Sequence, residues 1–426
     1  MSEKTTSDMS PTHPKLSLGF LHHYGLGDNL TTLKSLYLAK KAYNYRLTIF
    51  GNANFKQILS YCGFLDSADL VVDISHLCEE SLPIVASHKC DYFILTNPKS
   101  HYIRLLSSLD TPIITPLKFP SFFSLKAKCP PLHFFPIYYK LRADNALCAL
   151  IRLIDKKAFD SFVLDSIHTS SKIRTKSLAG GGRHYKQKSS YISSLDFACK
   201  MEQLDTVIKN ELKLKVPNDK IAQSFLSKCV ESYAKGLETS IDSKCGTACK
   251  PPQPFIICIN PFSNAATHTL PLEMFLELIS RVLTLPNCCV LVITFPSVHS
   301  EFVAQVRSHH KLSSAKSKLF IYQNDNSLQN LIALLGFQSL LVSPSTGTIH
   351  LASNLGIKTI GLYSRKDTTR WATQDNLYTI IPKEKSLLTQ KHCDKIIDQT
   401  IRQIQSLIDS NALKPFEIAD SSKSAN

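Results

Sequence analysis

The stretch LVSPSTGTIHLASNLGIKTIGLYSR, residues 341–365, decides how this chain is read. An apolar run ends in a small polar turn. A helix-forming segment carrying His350 follows, and a second apolar run comes next. That is a strand, a helix and a parallel strand at close spacing, the unit from which parallel sheets are built. The turn Ser345–Thr346–Gly347 opens the helix, and its backbone N–H groups and hydroxyls could hold phosphate oxygens, favoured by the helix dipole. His350 lies about one turn inside the helix and could face either a ligand or the core.

The same alternation extends outward in both directions. FIICIN, CCVLVITF and KLFIY read as strands before it, with helices at LEMFLELISRVL, HSEFVAQVRS and SLQNLIALL. After it, KHCDKIIDQTIRQIQSLI (391–408) is strongly periodic and helical. In the first half LSLGFLHH (16–23), RLTIF, ADLVVDI, DYFILT and TPIIT read as strands. One helix is expected from Asp28 to Ala42 and another at KSHYIRLLSS. The expected class is α/β, with two βα domains whose strand ends face a central cleft. Helical periodicity covers Ser194 to Leu237. ETSIDSKCGTACKPPQP (238–254) reads as a linker, and the Ser-rich, basic, GGG-containing stretch from about 158 to 190 reads as a mobile surface loop. The expected division is a disordered N-terminus (1–14), an N-terminal domain (15–237) with a basic insertion at 158–190, the linker, a C-terminal domain (255–410) and a polar tail (411–426).

Composition limits the function. The chain has 426 residues, 43% of them hydrophobic, and a formal net charge of +15. No apolar run approaches the roughly 20 residues of a membrane span, and the polar first fourteen residues argue against a secretory signal. Thirteen cysteines without scaffold-like spacing point to reduced thiols in the cytosol. Between Thr115 and Ser190 fourteen Lys/Arg face four acids, so +10 of the excess sits there. Aromatics interleave with these cations (FPSFFSLK, LHFFPIYYK). The pattern fits a solvated face or a surface for anionic lipid or phosphorylated glycan, and no nucleic-acid-binding motif accompanies it.

Two further segments could carry chemistry. In HHYGLGDNL (22–30), Gly25 and Gly27 permit a tight turn, His22 and His23 precede it, and Asp28 stands at the helix start. Asp28 could cap that helix or act as a general base. In INPFSNAATHTLPLEMF (259–275), Ser263, Asn264, Thr267 and His268 could bond phosphate, or could form a satisfied turn before a Pro-started helix. Glu301, near a strand end, is a candidate for contact with ribose. Cys245 and Cys249 have no second ligand pair near them, so a metal there is disfavoured.

Taken in order, GLGD, then STGTIHLASNLGIKTIGLYS, then TTRW at 368–371 resemble family 9 glycosyltransferases, the ADP-heptose:lipopolysaccharide heptosyltransferases. NPKSHYIRLLSS, with Lys99, resembles the family's helix near the acceptor side. The resemblance spans roughly residues 15–120 and 255–405. It implies a GT-B fold, with the acceptor on the N-terminal domain and a nucleotide sugar, ADP-heptose in this family, on the C-terminal one. It also implies an inverting mechanism with no cofactor beyond that donor and no obligatory metal. Asp28 matches the proposed base, Thr346 and Gly347 the diphosphate-binding turn, and His350 the motif histidine. The expected partners are a lipopolysaccharide core or lipid A acceptor and the inner face of the inner membrane, where the protein would be cytoplasmic and peripheral, with no nucleic acid. The chain departs from the family at Ser345, in an aspartate position, and at His268, in a lysine position, and Lys358 and Ser364 replace a proline and a glycine. These departures keep open a non-catalytic relative or one with an altered donor. An NAD-dependent Rossmann enzyme is a further rival, without the full glycine fingerprint.

Overall fold

The structure, a computed structural model, describes residues 16–416 apart from 23–24, 118–123, 177–190, 239–251, 264–268, 316, 376 and 383–387. The first half contains strands β1 (Ser17–Leu21), β2 (Arg46–Gly51), β3 (Leu70–Asp73), β4 (Tyr92–Leu95), β5 (Ile113–Ile114) and β6 (Ala127–Lys128). Its helices are α1 (Leu26–Thr31), α2 (Leu33–Tyr43), α3 (Ala53–Ser60), α4 (Leu82–Ser87), α5 (Ser100–Ser107), α6 (Phe135–Tyr138), α7 (Ala143–Ile151), α8 (Lys156–Lys176) and α9 (Phe197–Ile208). The second half has β7 (Phe255–Ile259), β8 (Cys288–Thr294), β9 (Leu319–Gln323), β10 (Leu340–Pro344), β11 (Lys358–Ser364) and β12 (Tyr378–Ile381). Its helices are α10 (Lys220–Glu238), α11 (Leu272–Val282), α12 (Pro296–Ser308), α13 (Leu328–Gly336), α14 (Gly347–Asn354), α15 (Arg365–Arg370) and α16 (Gln390–Asp409).

Both sheets are six-stranded, and the pairs within them are parallel. The first runs β3-β2-β1-β4-β5-β6 and the second β12-β11-β10-β7-β8-β9. Numbered within its own half, each sheet has the doubly wound order 3-2-1-4-5-6, which places a switch point between its first and fourth strands. The central strands β1 and β10 are buried along their whole length, as strands covered by helices on both faces must be. The two facing βα domains expected from the sequence are therefore both present. The short edge strands β6 and β12 were not anticipated.

Three local expectations are corrected. The single helix expected over 28–42 is two, interrupted at Thr32. The Thr31 hydroxyl donates to the Asp28 carbonyl (2.7 Å) and the Thr32 hydroxyl to the Asn29 carbonyl (2.6 Å). Side chains that bond back to helix carbonyls in this way disturb the ladder. The stretch expected as a loop from 158 is helical to Lys176, and residues 177–190 lie outside the described part. The Asp155 carboxylate caps this helix, accepting from the amides of Lys157 and Ala158, both at 3.0 Å. Phe159 and Val163 bury its inner face. Its first turns are held by a buried pair, in which Arg152 Nε and Nη2 donate to the two oxygens of Asp160 at 2.6 and 2.7 Å. Finally, α10, assigned from sequence to the N-terminal domain, packs its Ala222 and Leu226 with Ile256, Leu291, Ala333 and Leu334 of the second. The chain therefore passes between the sheets ahead of residue 220, and the linker expected at 238–254 lies mostly outside the described residues.

The two halves share one apolar core. Leu30 and Leu33 of the first cluster with Ile349, Leu351 and Ala372 of the second. Beneath that contact lies an ion network. Lys34, buried to 2% exposure, reaches Asp205 (2.6 Å), Asn145 Oδ1 (2.7 Å) and the Met201 carbonyl (3.0 Å). Arg142 binds Asp144 and, at 2.7 Å, Asp205. Such charges persist in an interior only when paired and hydrogen-bonded. Arg142 and Arg152, counted in the basic segment, are thus internal, and the surface share of its charge is smaller than the sequence count.

Candidate functional site

The C-terminal ends of β1, β7, β8, β9 and β10 open onto one cleft of about 760 Å³ between the sheets. This is where the switch points of two doubly wound sheets should present a ligand site. Asp28, Gly25 and Gly27 enter from the β1–α1 turn, and Ser345, Thr346, Gly347 and His350 from the β10–α14 turn, so the structure brings these seven residues together.

The two turns touch. A Cβ placed on Gly27 would lie 3.2 Å from Gly347 Cα, and one on Gly347 would lie 2.9 Å from both Gly27 N and Leu26 Cβ. Glycine is required here for close approach of backbones. Neither helix that starts at the contact has a side-chain cap on its first turn. The Thr346 hydroxyl instead lies 3.0 Å from Ser343 Oγ, and Asn260 Nδ2 donates to both, at 3.4 and 3.1 Å. The turn is thereby fixed from β7, and the leading amides of α14 carry no side-chain cap, an arrangement suited to an anion.

Asp28 occupies the third position of α1 rather than its cap, and it is half-buried. Burial raises its carboxyl above the ordinary value, with the positive charge of Arg370 opposing. A carboxylate made more basic in this way is a better proton acceptor than an exposed one. His350 is pushed down to about 4, chiefly by burial, with Arg142 adding to the effect and Asp144 resisting it. The imidazole is accordingly neutral at physiological pH and offers hydrogen bonds rather than charge. Asp144 itself is held well below the usual range, because Arg142 and Lys34 outweigh its burial.

The remaining candidates separate. Ser263 lines the cleft. His23 and His268, with Asn264 and Thr267, fall outside the described residues. Glu301 does not reach the cleft. It is exposed on α12, where Gln305 Nε2 donates to it at 3.4 Å, and the adjoining wall is made by Thr294 and Phe295. The helix begins at Pro296, so Glu301 comes more than a turn too late. Lys99 is the exposed N-cap of α5, with its ammonium 5.4 Å from the Tyr102 ring centroid, away from the cleft lining. His22 is buried behind β1, 2.9 Å from Thr96 Oγ1. Sequence reading missed Asn54, Asn260, Phe295, Asn324 and Asp367. Asn260, Phe295 and Asn324 each follow directly on a strand, and that position was the available signal.

Residues 221–399 match the model of glycosyltransferase family 9 (heptosyltransferase). No curated protein sequence matches the chain. Among solved structures, a family 9 glycosyltransferase from Veillonella parvula aligns over 93% of this chain and 97% of its own, at 13% identity and a TM-score of 0.57. E. coli ADP-heptose lipopolysaccharide heptosyltransferase II aligns over 92% and 99% at 9% identity, TM-score 0.57. E. coli heptosyltransferase WaaC with ADP aligns over 90% and 99% at 14% identity, TM-score 0.53. These likenesses show the GT-B fold, and the family match supports a glycosyltransferase.

Proposed function

We propose that the chain is an inverting glycosyltransferase that moves heptose, or a related sugar, from an ADP-activated donor to the lipopolysaccharide inner core. The observation that carries this reading is the meeting of Asp28 and the uncapped N-terminus of α14 in one cleft, each from a different sheet. The donor diphosphate lies against the leading amides of α14 and the Ser345–Thr346 turn. Asp28 takes the proton of an acceptor hydroxyl. The freed oxygen attacks the anomeric carbon from the face opposite the diphosphate, the carbon–oxygen bond to the diphosphate breaks, and the nucleotide leaves with the electron pair. Closure of the two halves over the donor excludes water that would hydrolyse it.

The acceptor side is read from the first half. Leu125 and Leu132 are exposed there, in a stretch that also carries the exposed Lys128 and Lys140. Apolar groups among cations suit peripheral contact with anionic lipid at the cytoplasmic face of the inner membrane. Among the described residues no helix is long and apolar enough to cross a membrane.

A second reading, an altered donor or a non-catalytic relative, is favoured by one feature. Among the described residues the cleft lining holds no lysine or arginine, and Ser345 stands where the family carries aspartate. Transfer assays with purified protein and heptose-deficient core separate the two. ADP-heptose turnover supports the first reading. Turnover with other nucleotide sugars and none with ADP-heptose establishes the altered donor.

A further inference from the structure

The cleft is poor in groups that could grip a sugar through charge. The two carboxylates in its described lining are Asp28 and Asp367, and Asp367 is engaged by the Ser364 hydroxyl at 2.7 Å. Ser345 offers one hydroxyl. A sugar bound here meets neutral hydrogen-bonding groups and aromatic surface. Of the three large rings in the lining, Phe262 is packed edge-on against Phe295 (5.6 Å between centroids) and Phe302 (5.5 Å). The third ring lies beside His350, which follows the Ser345 turn. It is Trp371, the only tryptophan in the chain.

Its setting is built from both halves. The His350 ring meets the indole edge-on, with centroids 6.2 Å apart and planes at 70°. The Arg370 guanidinium stands 5.9 Å from the indole centroid. Arg370 Nη1 in turn donates to the Leu141 carbonyl of the opposite half at 3.0 Å. The Trp371 amide donates to the Asp367 carbonyl at 2.7 Å, fixing the backbone. Among the described residues Arg370 has no carboxylate partner within salt-bridge distance, so its fixed contacts are this carbonyl and the indole. An indole has two side-chain torsions and a broad face of negative potential, so it presents a platform at small entropic cost. The C–H face of a pyranose is the complementary surface.

We propose that Trp371 is the sugar-binding platform of this cleft, packing against the ring of the activated sugar and presenting its anomeric carbon to Asp28. The proposal rests on the glycosyltransferase reading above. Through Arg370 and Leu141, the position of the platform is tied to the docking of the two halves.

The single tryptophan makes the test direct. The full chain is titrated with ADP and with ADP-heptose, following indole fluorescence and, separately, calorimetric binding. ADP-heptose should change the emission and ADP alone should not. Trp371→Ala should weaken ADP-heptose about tenfold while leaving ADP affinity unchanged, and Trp371→Phe, which keeps a ring, should retain most of the binding. If both ligands bind but the alanine variant weakens them equally, or neither, the platform is wrong and the glycosyltransferase reading stands. If the wild-type chain binds neither ADP, ADP-heptose nor UDP-glucose, both fall.

Discussion

Gly27 and Gly347 meet backbone to backbone across the two halves. A Cβ on Gly347 would sit 2.9 Å from Gly27 N, and one on Gly27 would sit 3.2 Å from Gly347 Cα. The Asp28-bearing turn and the Ser345–Thr346–Gly347 turn thus touch through their backbones, with Leu26 packed alongside.

A methyl group at this contact has nowhere to go. Gly347→Ala should destabilise the protein by about 1–3 kcal/mol, the cost of overpacking a filled contact, and should reduce transfer by holding the turns apart. Urea unfolding and a transfer assay measure the two effects. A variant of wild-type stability and activity would show that the halves do not dock this closely.

Asp28→Asn should lower kcat by about 10²–10⁴-fold, the usual worth of a positioned general base, with ADP affinity unchanged. The carboxylate makes no capping bond to α1, so the unfolding midpoint should barely move. A large loss of stability would instead assign Asp28 a structural role.

His350 makes stability depend on pH in a defined direction. Its folded value, about 4, lies below the ordinary 6.5. The folded protein therefore binds fewer protons than the unfolded chain between these values. The stabilising contribution is complete above pH 6.5 and is lost as pH falls through about 4. In His350→Gln this part of the slope should be missing, which denaturant midpoints across the window would reveal. An unchanged slope would place the imidazole in water.

The Arg152–Asp160 pair is a stability element remote from the cleft. Asp160 has no exposed surface and also accepts from the Ile192 amide at 3.0 Å. Asp160→Asn leaves a buried guanidinium half-satisfied and should cost about 3–5 kcal/mol. Urea unfolding reads the loss, and a change below about 1 kcal/mol would show that the pair is solvated.

Neutralising Lys172, Arg174 and Lys176 to Gln should weaken binding to anionic vesicles, the more so at low salt, and leave ADP binding as it was. Equal loss of both would remove the lipid assignment from this segment.

The sheet-forming half of this architecture was legible in the sequence because buried parallel strands are nearly unbroken apolar runs; FIICI and LLVSP admit no other placement. What escaped has identifiable causes. The break at Thr32 depends on hydroxyl-to-carbonyl bonds that leave no trace in hydrophobic period. Helix α8 was hidden because its serines and basic residues dominate the composition, while Phe159, Phe162, Val163 and Ile167 keep helical spacing beneath them. At the site, Asp28 and the Ser345–Thr346–Gly347 turn were found through their place after a strand. Glu301 was chosen by the same rule applied too loosely, one turn beyond where α12 begins. Asn260 carried the same strand-end signal and was passed over, and Trp371, quoted only within TTRW, takes its place in the cleft from which strand ends the fold draws together.

The packing of α10 on the second sheet has a consequence for how the chain can be divided. The second sheet, α10 before it and α16 after it form a contiguous stretch, and the family match begins at residue 221, within the first turn of α10. A scission ahead of residue 220 would release this half with its covering helix attached, whereas one at 238–254 would strip that helix off and bare Ile256 and Leu291. The modular seam of the protein therefore falls in the short segment that precedes α10.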